Sequence, residues 1–318
     1  MHHQLKVKLN LIPLYYFSAS GNTKYCSQLV QRGFQDKSVS IELIRIKSVR
    51  DLTFPDKSKS YPAIGLAFPI YEFMVPRIIL IWLYQLPTAN QTTPVFIIDT
   101  SGGLPCNSAE IAMDLLRKKN YEPIGVLEVP TPTIEPFFDN KYYPAGWNRE
   151  ILDRCYYFGA LLAKKLRKED NRFIDLRLGR FRFRKLTKYM YRFFIEGRSS
   201  SAGLIRFDPS KCNRCGACER VCPMAAINIQ QIPNLINHNR CMFCATCIRT
   251  CPYHAIKISY RPKKTPPSAI WTPKSRPGYI DPEKYHYSKS PSLGSGYLRL
   301  LIGMMRVKKI LMNIRING

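Results

Sequence analysis

Eight of the eleven cysteines form the most specific chemical pattern in the chain, because they repeat one spacing twice between residues 212 and 251. Each copy reads C-x-x-C-x-x-C-x-x-x-C-P. Three thiolates at this spacing can surround one cube of iron and sulfide, while the fourth reaches a second cube. The spacing therefore predicts two 4Fe-4S clusters with interleaved ligands, which are Cys212, Cys215, Cys218 and Cys251 for one cluster and Cys241, Cys244, Cys247 and Cys222 for the other.

Disulfides and zinc sites also concentrate cysteines, but both explain this pattern less well. A disulfide framework needs an oxidising compartment, and the sequence shows no export signal. Zinc sites typically combine two C-x-x-C pairs or add histidines, rather than a third evenly spaced cysteine. Cys26, Cys106 and Cys155 lack any ligand spacing, so we expect them to be small buried apolar residues.

A second candidate site follows an apolar run near the N-terminus. The run at residues 10–17 predicts a buried strand, and Leu29, Val30 and Phe34 predict a helix soon after it. The polar loop between them would lie at the helix N-terminus, where free amides and the helix dipole favour an anion. A monophosphate fits this loop, and simple capping of the helix explains it about equally well. The loop comprises Ser18, Ala19, Ser20, Gly21, Asn22 and Thr23.

Strands and helices alternate through the rest of the first half, which predicts a parallel sheet covered on both faces. Further strands are expected at residues 41–46, 63–68, 95–99 and 124–129, and helices near 76–86, 107–119 and 149–168. Ligands on such sheets bind beyond the carboxyl ends of the strands. Two further loops should meet the first one there. The candidate binding residues are Pro69, Ile70 and Tyr71 in the second loop, and Thr100, Ser101, Gly102 and Gly103 in the third.

These motifs carry two resemblances to known families. The first 170 residues or so resemble flavodoxin, which implies FMN, with its phosphate at residues 18–23, its ring stacked on Tyr71, and the amides of Gly102 and Gly103 at ring atoms. Residues 204–260 resemble the bacterial two-cluster ferredoxins, which implies a pseudo-symmetric α+β domain around two clusters. The order of the two domains is that of several fused flavodoxin and ferredoxin proteins of anaerobes. We therefore expect a doubly wound flavodoxin-like domain followed by a small ferredoxin domain.

The net charge of +27 is concentrated outside these two domains. Residues 171–203 hold nine basic and two acidic side chains, and residues 261–318 hold twelve and two. Aromatic and basic residues interleave in the first segment, which we interpret as a connector that docks on a domain. The second is rich in proline and lysine, and we expect it to drape over the protein and to end in a basic helix. Peripheral membrane contact through that helix stays open, and docking on a partner or capping of the core explains it equally well. The connectors also leave open a protein that binds nucleic acid or a membrane surface, with structural or sensing clusters.

The sequence favours an electron-transfer flavoprotein over that alternative. No acid–base pair or nucleophile group stands outside the cofactor loops, and no dinucleotide fingerprint follows a strand, so we predict an oxidoreductase or electron carrier without an identifiable substrate site. The apolar runs are too short to span a membrane, which favours the cytoplasm. We expect no specific nucleic acid but an acidic redox partner such as a ferredoxin, flavodoxin or reductase, because the ferredoxin-like segment carries the basic residues Lys211, Arg214, Arg220, Arg240 and Arg249.

Overall fold

The computed structural model describes residues 11–72, 74–102, 107–131, 149–168, 172–177, 205–232 and 235–258. The first domain is built on a six-stranded parallel sheet in the order β2-β1-β3-β4-β5-β6. Through β5 this is the strand order of flavodoxin-like doubly wound folds. The strands are β1 Ile12–Tyr16, β2 Ile41–Arg45, β3 Ile64–Pro69, β4 Thr93–Ser101, β5 Tyr121–Pro130 and β6 Ile174–Leu176.

Four helices cover the two faces of this sheet. They are α1 Asn22–Gln35, α2 Arg77–Gln85, α3 Ser108–Arg117 and α4 Arg149–Lys168. Side chains of β1 alternate between the faces, so Leu14 packs with α1 and α4 while Tyr15 packs with α2 and α3. The doubly wound sheet predicted from the alternating pattern is confirmed, and all five predicted strands and the four helices are present.

Two glycines let α1 and α4 approach each other closely. A Cβ atom on Gly33 would lie 2.1 Å from the carbonyl oxygen of Tyr156, and one on Gly159 would lie 2.1 Å from that of Val30. Any larger side chain at either position would push the helices apart. This contact closes the apolar layer on one face of the sheet.

Strand β6 was not predicted, because its three residues lie in the segment interpreted as a connector. Ile174, Asp175 and Leu176 pair in parallel with residues 125–127 of β5. The flanking residues Phe173 and Arg177 belong to a run of mixed aromatic and basic residues, which hides the strand signal. The first domain therefore extends past residue 170 into that segment.

The second domain is small and built from short elements. Strands β7 Ile205–Phe207 and β8 Ile256–Ile258 pair antiparallel, and an isolated antiparallel bridge joins Ile227 to Ile236. Helix α5 Ala217–Arg220 follows the first cysteines of one motif, and α6 Thr246–Thr250 follows those of the other. The α+β character predicted for this domain is confirmed.

Several predictions fall outside the described residues. They concern Gly103, Cys106, the aromatic and basic run beyond residue 177, and the whole of residues 261–318. Within the described ranges, no helix is both long and apolar enough to cross a membrane.

Candidate cofactor sites

The 18–23 loop forms the N-terminus of α1 as the sequence predicted. Gly21 is the residue before the helix and adopts a left-handed conformation with φ of 105°, which glycine tolerates without a steric penalty. Its amide donates to the hydroxyl of Ser18 at 3.1 Å. Asn22 and Thr23 are buried, and the first turn of α1 contains no acidic residue to neutralise the helix dipole. The loop therefore keeps the polarity that suits a bound anion.

Hydrogen bonds hold the three predicted flavin loops together at the carboxyl edge of the sheet. The hydroxyl of Thr23 lies 2.8 Å from that of Thr100, in a buried contact between the first and third loops. The amide of Ile70 donates to the carbonyl of Thr100 at 2.7 Å, which joins the second loop to the third. Thr100 thus contacts both neighbours, as expected for adjacent parallel strands that end at one edge.

Tyr71 lies in this region, but its ring is already covered by protein. It is only 8% exposed and packs edge-on against Phe17, with ring centroids 6.5 Å apart. Its backbone forms a tight bridge with Met74. The stacking expected for Tyr71 therefore finds little free ring surface, because the side chain belongs to the apolar core instead.

A buried acid that the sequence did not single out precedes the third loop. Asp99 is fully buried in β4, beside Glu128 of β5 in the strand register. Burial raises the pKa of Asp99 well above its ordinary value, and the charges of Glu128 and Glu110 add to the rise while Arg177 opposes it. Burial therefore favours the protonated form of this carboxyl, which lies one residue before Thr100. Its position in an apolar strand run concealed it.

In the second domain, the two cysteine motifs share one backbone conformation. We call Cys212, Cys215, Cys218 and Cys222 the first motif, and Cys241, Cys244, Cys247 and Cys251 the second. Left-handed residues recur at equivalent positions, and these pairs are Arg214 and Phe243, Gly216 and Ala245, and Ala225 and His254. Such turns let the backbone wrap closely around a compact group. The repeat extends the duplication seen in the sequence from spacing to conformation.

Backbone amides contact the cysteine sulfurs at equivalent places in both motifs. The sulfurs of Cys212 and Cys241 each accept a hydrogen bond from the amide two residues later in the chain. The sulfurs of Cys222 and Cys251 each accept one from the amide four residues later, and all four N···S distances are 3.2–3.4 Å. Such N–H to sulfur bonds stabilise thiolates that bind iron and tune the potential of the cluster. The described cysteines are all free of disulfide bonds.

The folding of the domain brings cysteines of different motifs together. Cys251 of the second motif lines one small cavity with Cys212, Cys215 and Cys218 of the first. Cys222 of the first motif instead has Cys244 and Cys241 as electrostatic neighbours. We call these groups the first and second cluster sites. In the described part of the chain, no three metal-binding side chains converge on one point as they would around a single metal ion. This spread suits a 4Fe-4S cube, because a cube binds each thiolate through a different iron atom.

The two cluster sites differ in burial. At the first site Cys215 is exposed and Cys218 is buried, with the pKa of Cys218 raised to about 11 by burial. At the second site burial raises the pKa of Cys241 to about 12, and that of Cys247 well above its ordinary value, with neighbouring cysteines adding to both. Thiolates there need a bound cation to stay charged. The second site is therefore the more enclosed of the two.

Contacts between the domains place the second cluster site against the predicted flavin loops. Nη2 of Arg249 donates to the carbonyl of Ala19 at 2.6 Å. The amide of Val49 donates to the carbonyl of Pro223 at 2.8 Å, and Nη1 of Arg77 donates to that of Asn239 at 2.6 Å. One contiguous apolar cluster includes core residues of the first domain and many of the second. The charge of Glu72 also acts on Cys241.

The comparisons with known proteins agree with the second domain's pattern. Residues 204–252 match the family model described as a 4Fe-4S dicluster domain. The chain fuses a flavodoxin-like domain to a ferredoxin-type domain. The first assignment rests on the strand order of the sheet, and the second on this match together with the two motifs.

Solved structures similar to the chain include a flavodoxin from the domain Archaea, with 16% identity, a TM-score of 0.39, and coverage of 49% of this chain and 99% of that one. A Streptococcus pneumoniae flavodoxin has 14% identity, a TM-score of 0.36, and coverage of 49% and 99%. Rubredoxin oxygen:oxidoreductase from Desulfovibrio gigas has 11% identity and a TM-score of 0.39, with half of this chain covering 37% of that one. No protein with curated annotation matches the chain.

The contacts between the domains were not predicted, and one prediction changes because of them. Arg249 was grouped with the basic residues of a partner-facing surface, but it is half-buried between the domains. Its spacing from Cys247 and Cys251 resembles that of Arg220 from the first motif, so the sequence gave no sign of the difference. The hydrogen-bond acceptor of Arg249, the carbonyl of Ala19, is 230 residues away in the sequence, so only the folded chain reveals the contact.

Proposed function

We propose that this protein is an electron-transfer protein that binds FMN in its first domain and two 4Fe-4S clusters in its second. The observation that carries the proposal is the contact between the 18–23 loop and the second motif through Arg249. That contact brings two candidate cofactor sites into one folded unit. A bound FMN would supply exchange of one or two electrons, and each cluster would supply exchange of single electrons.

The residues of the first domain fit the flavin phosphate. The amides at the start of α1 and the hydroxyls of Ser18, Ser20 and Thr23 can donate to phosphate oxygens, and the left-handed Gly21 permits close approach of the backbone. The loops at residues 69–71 and 100–103 would hold the ring. Tyr71 contributes chiefly through its backbone, because its ring is buried.

The residues of the second domain fit two cubes with interleaved ligands. Cys212, Cys215, Cys218 and Cys251 surround one cavity, which suits a single cluster. Cys222, Cys241, Cys244 and Cys247 form the second site. Amides directed at the sulfurs favour the thiolate form at both sites.

The external redox partner should approach the first cluster site and carry an acidic surface. Cys215 is exposed there, and Lys211, Arg214 and Arg220, which are close to it in the sequence, are exposed as well. Positive charge of this kind steers negatively charged proteins and raises their association rate. An acidic ferredoxin, flavodoxin or reductase is therefore the proposed partner.

An anaerobic reductive titration tests the proposed function. The purified full chain is titrated with dithionite while the flavin bands and the broad iron–sulfur absorbance are recorded separately. We expect both signals to bleach and both to recover when an acceptor protein is added. A chain purified without flavin, or clusters that never change oxidation state, would refute electron transfer between these sites.

A further inference from the structure

Arg249 occupies an unusual position between the two domains. It lies on α6, in the second motif, and its Nη2 donates to the carbonyl of Ala19 at 2.6 Å and to that of Cys244 at 3.5 Å. Ala19 belongs to the 18–23 loop, whereas Cys244 belongs to the second cluster site. One guanidinium thus connects the backbone of both candidate cofactor sites.

The equivalent residue of the first motif makes only half of these contacts. Arg220 lies at the matching position on α5 and donates to the carbonyl of Cys215 at 3.0 Å, as Arg249 does to Cys244. Arg220 is exposed and makes no hydrogen bond with the described residues of the first domain. The contact with its own motif is therefore common to both arginines, and the contact with Ala19 belongs to Arg249 alone.

Arg249 also keeps an unused donor near the loop. Its Nη1 is buried and has no hydrogen-bond partner among the described residues. A buried guanidinium nitrogen without a partner is costly, so such groups usually meet an acceptor or an anion. The 18–23 loop itself contains no basic residue, and Lys24, the next residue, is exposed.

We propose that Arg249 completes the phosphate site from the iron–sulfur domain, by adding a positive charge and a donor that the 18–23 loop lacks. The inference rests on the proposed function and names a binding residue within it. Guanidinium groups are suited to phosphate because they offer several donors in a fixed plane. Flavin binding then depends on the fold of the second domain, and by linkage the flavin stabilises the position of the second motif.

The test compares FMN with riboflavin, which has the same ring system but no phosphate. Flavin-depleted full chain that retains its iron is titrated anaerobically with each ligand by calorimetry. For Arg249→Gln we expect about tenfold weaker FMN binding, because a hydrogen bond to a charged group is lost. Riboflavin binding should stay unchanged. Arg249→Lys, which keeps the charge, should recover part of the loss for FMN.

Arg220→Gln is the matched control, since it removes the equivalent arginine on the side away from the loop. It should leave the affinity for both ligands unchanged. Iron content of each variant verifies that the second domain stays folded, and Arg249→Lys serves as the test variant if Arg249→Gln loses iron.

Two results would overturn the proposal: unchanged FMN binding by Arg249→Gln, or an equal loss for FMN and riboflavin. The second would mean that Arg249 acts on the shape of the loop and not on the phosphate. A wild-type chain that binds neither ligand would instead refute the proposed function, and the two failures are thereby separated.

Discussion

The two cysteine motifs of this protein have one backbone and two environments. Both wrap their cysteines with left-handed residues at equivalent positions, and both direct amides at equivalent sulfurs. In the first motif Cys215 is exposed, and so are the basic residues Arg214 and Arg220 near it in the sequence. The second motif packs against the flavodoxin-like domain, where Arg249 donates a hydrogen bond to the carbonyl of Ala19 in the 18–23 loop.

This difference shows that the two copies of a duplicated motif are distinguished by their surroundings and not by their own conformation. The spacing of the ligands and the local turns cannot distinguish the two cluster sites. The neighbours can: one site contacts the candidate flavin loops and is enclosed, while the other faces solvent. In the proposed function, the enclosed site would exchange electrons with the first domain and the exposed site would exchange them with an external partner.

The largest expected effect concerns the crossing of ligands between the motifs. Replacing Cys222 by Ala should destroy the cluster at the second site, although Cys222 belongs to the first motif. Its electrostatic neighbour is Cys244 of the second motif, whereas Cys251 lines the cavity of the first. EPR of the reduced variant should lose one cluster signal and retain the other.

Cys26→Ala is the control, because Cys26 is fully buried in the first domain and should leave iron content unchanged. Assigning the surviving signal requires a second variant, Cys215→Ala, which should remove the opposite cluster. If Cys222→Ala and Cys215→Ala removed the same signal, the interleaved ligation would be wrong.

A loss of flavin alone is expected from a charge placed in the 18–23 loop. Ser20→Asp puts a carboxylate where the phosphate would lie. Like charges in direct contact cost several kcal/mol, so FMN binding should weaken about a hundredfold or more. Both iron clusters should remain. Flavin and iron are measured on the same purified sample.

Ser60→Asp is the matched change, because Ser60 is exposed ahead of β3, at the other end of the sheet. It should leave both cofactors in place. If Ser20→Asp kept its full flavin content, the 18–23 loop would not be the phosphate-binding loop.

A smaller effect is expected on the rate of electron transfer from an external partner, and it should distinguish the first motif from the second. Reduction by an acidic ferredoxin should slow as added salt shortens the screening length from ~30 Å at 0.01 M to ~8 Å at 0.15 M. Arg214→Gln, beside the exposed Cys215, should slow association by roughly threefold at low salt. Stopped-flow mixing measures both effects.

Arg240→Gln changes an equally exposed charge next to the second motif and should slow the reaction less. A rate independent of salt, or a larger effect at Arg240 than at Arg214, would move the partner away from the first cluster site.

The smallest effect compares one backbone position in the two motifs. Gly216 and Ala245 both adopt left-handed φ values, of 70° and 55°, and only glycine does so without strain. Ala245→Gly should therefore raise the free energy of unfolding by about 1 kcal/mol, and Gly216→Ala should lower it by a similar amount. Anaerobic denaturant unfolding measures both, and shifts of the same sign would contradict the equivalence of the motifs.

The sequence predicted what local patterns encode. Strong apolar runs marked the strands around Ile64 and Val95, and the cysteine spacing marked both motifs. What it missed depends on distant neighbours: β6 is three residues long in a charged run, Tyr71 is buried by the core, and Arg249 binds a carbonyl of the other domain. None of these contacts leaves a period or a spacing in the sequence.

The central claim is that one chain holds both kinds of cofactor, and the direct test is to count them on one sample. Protein purified without oxygen is analysed for iron, sulfide, zinc and flavin, and its visible and EPR spectra are recorded. We expect about eight iron atoms and about one FMN per chain, with signals from two 4Fe-4S clusters. Zinc in place of iron, or iron without any flavin, would contradict this claim.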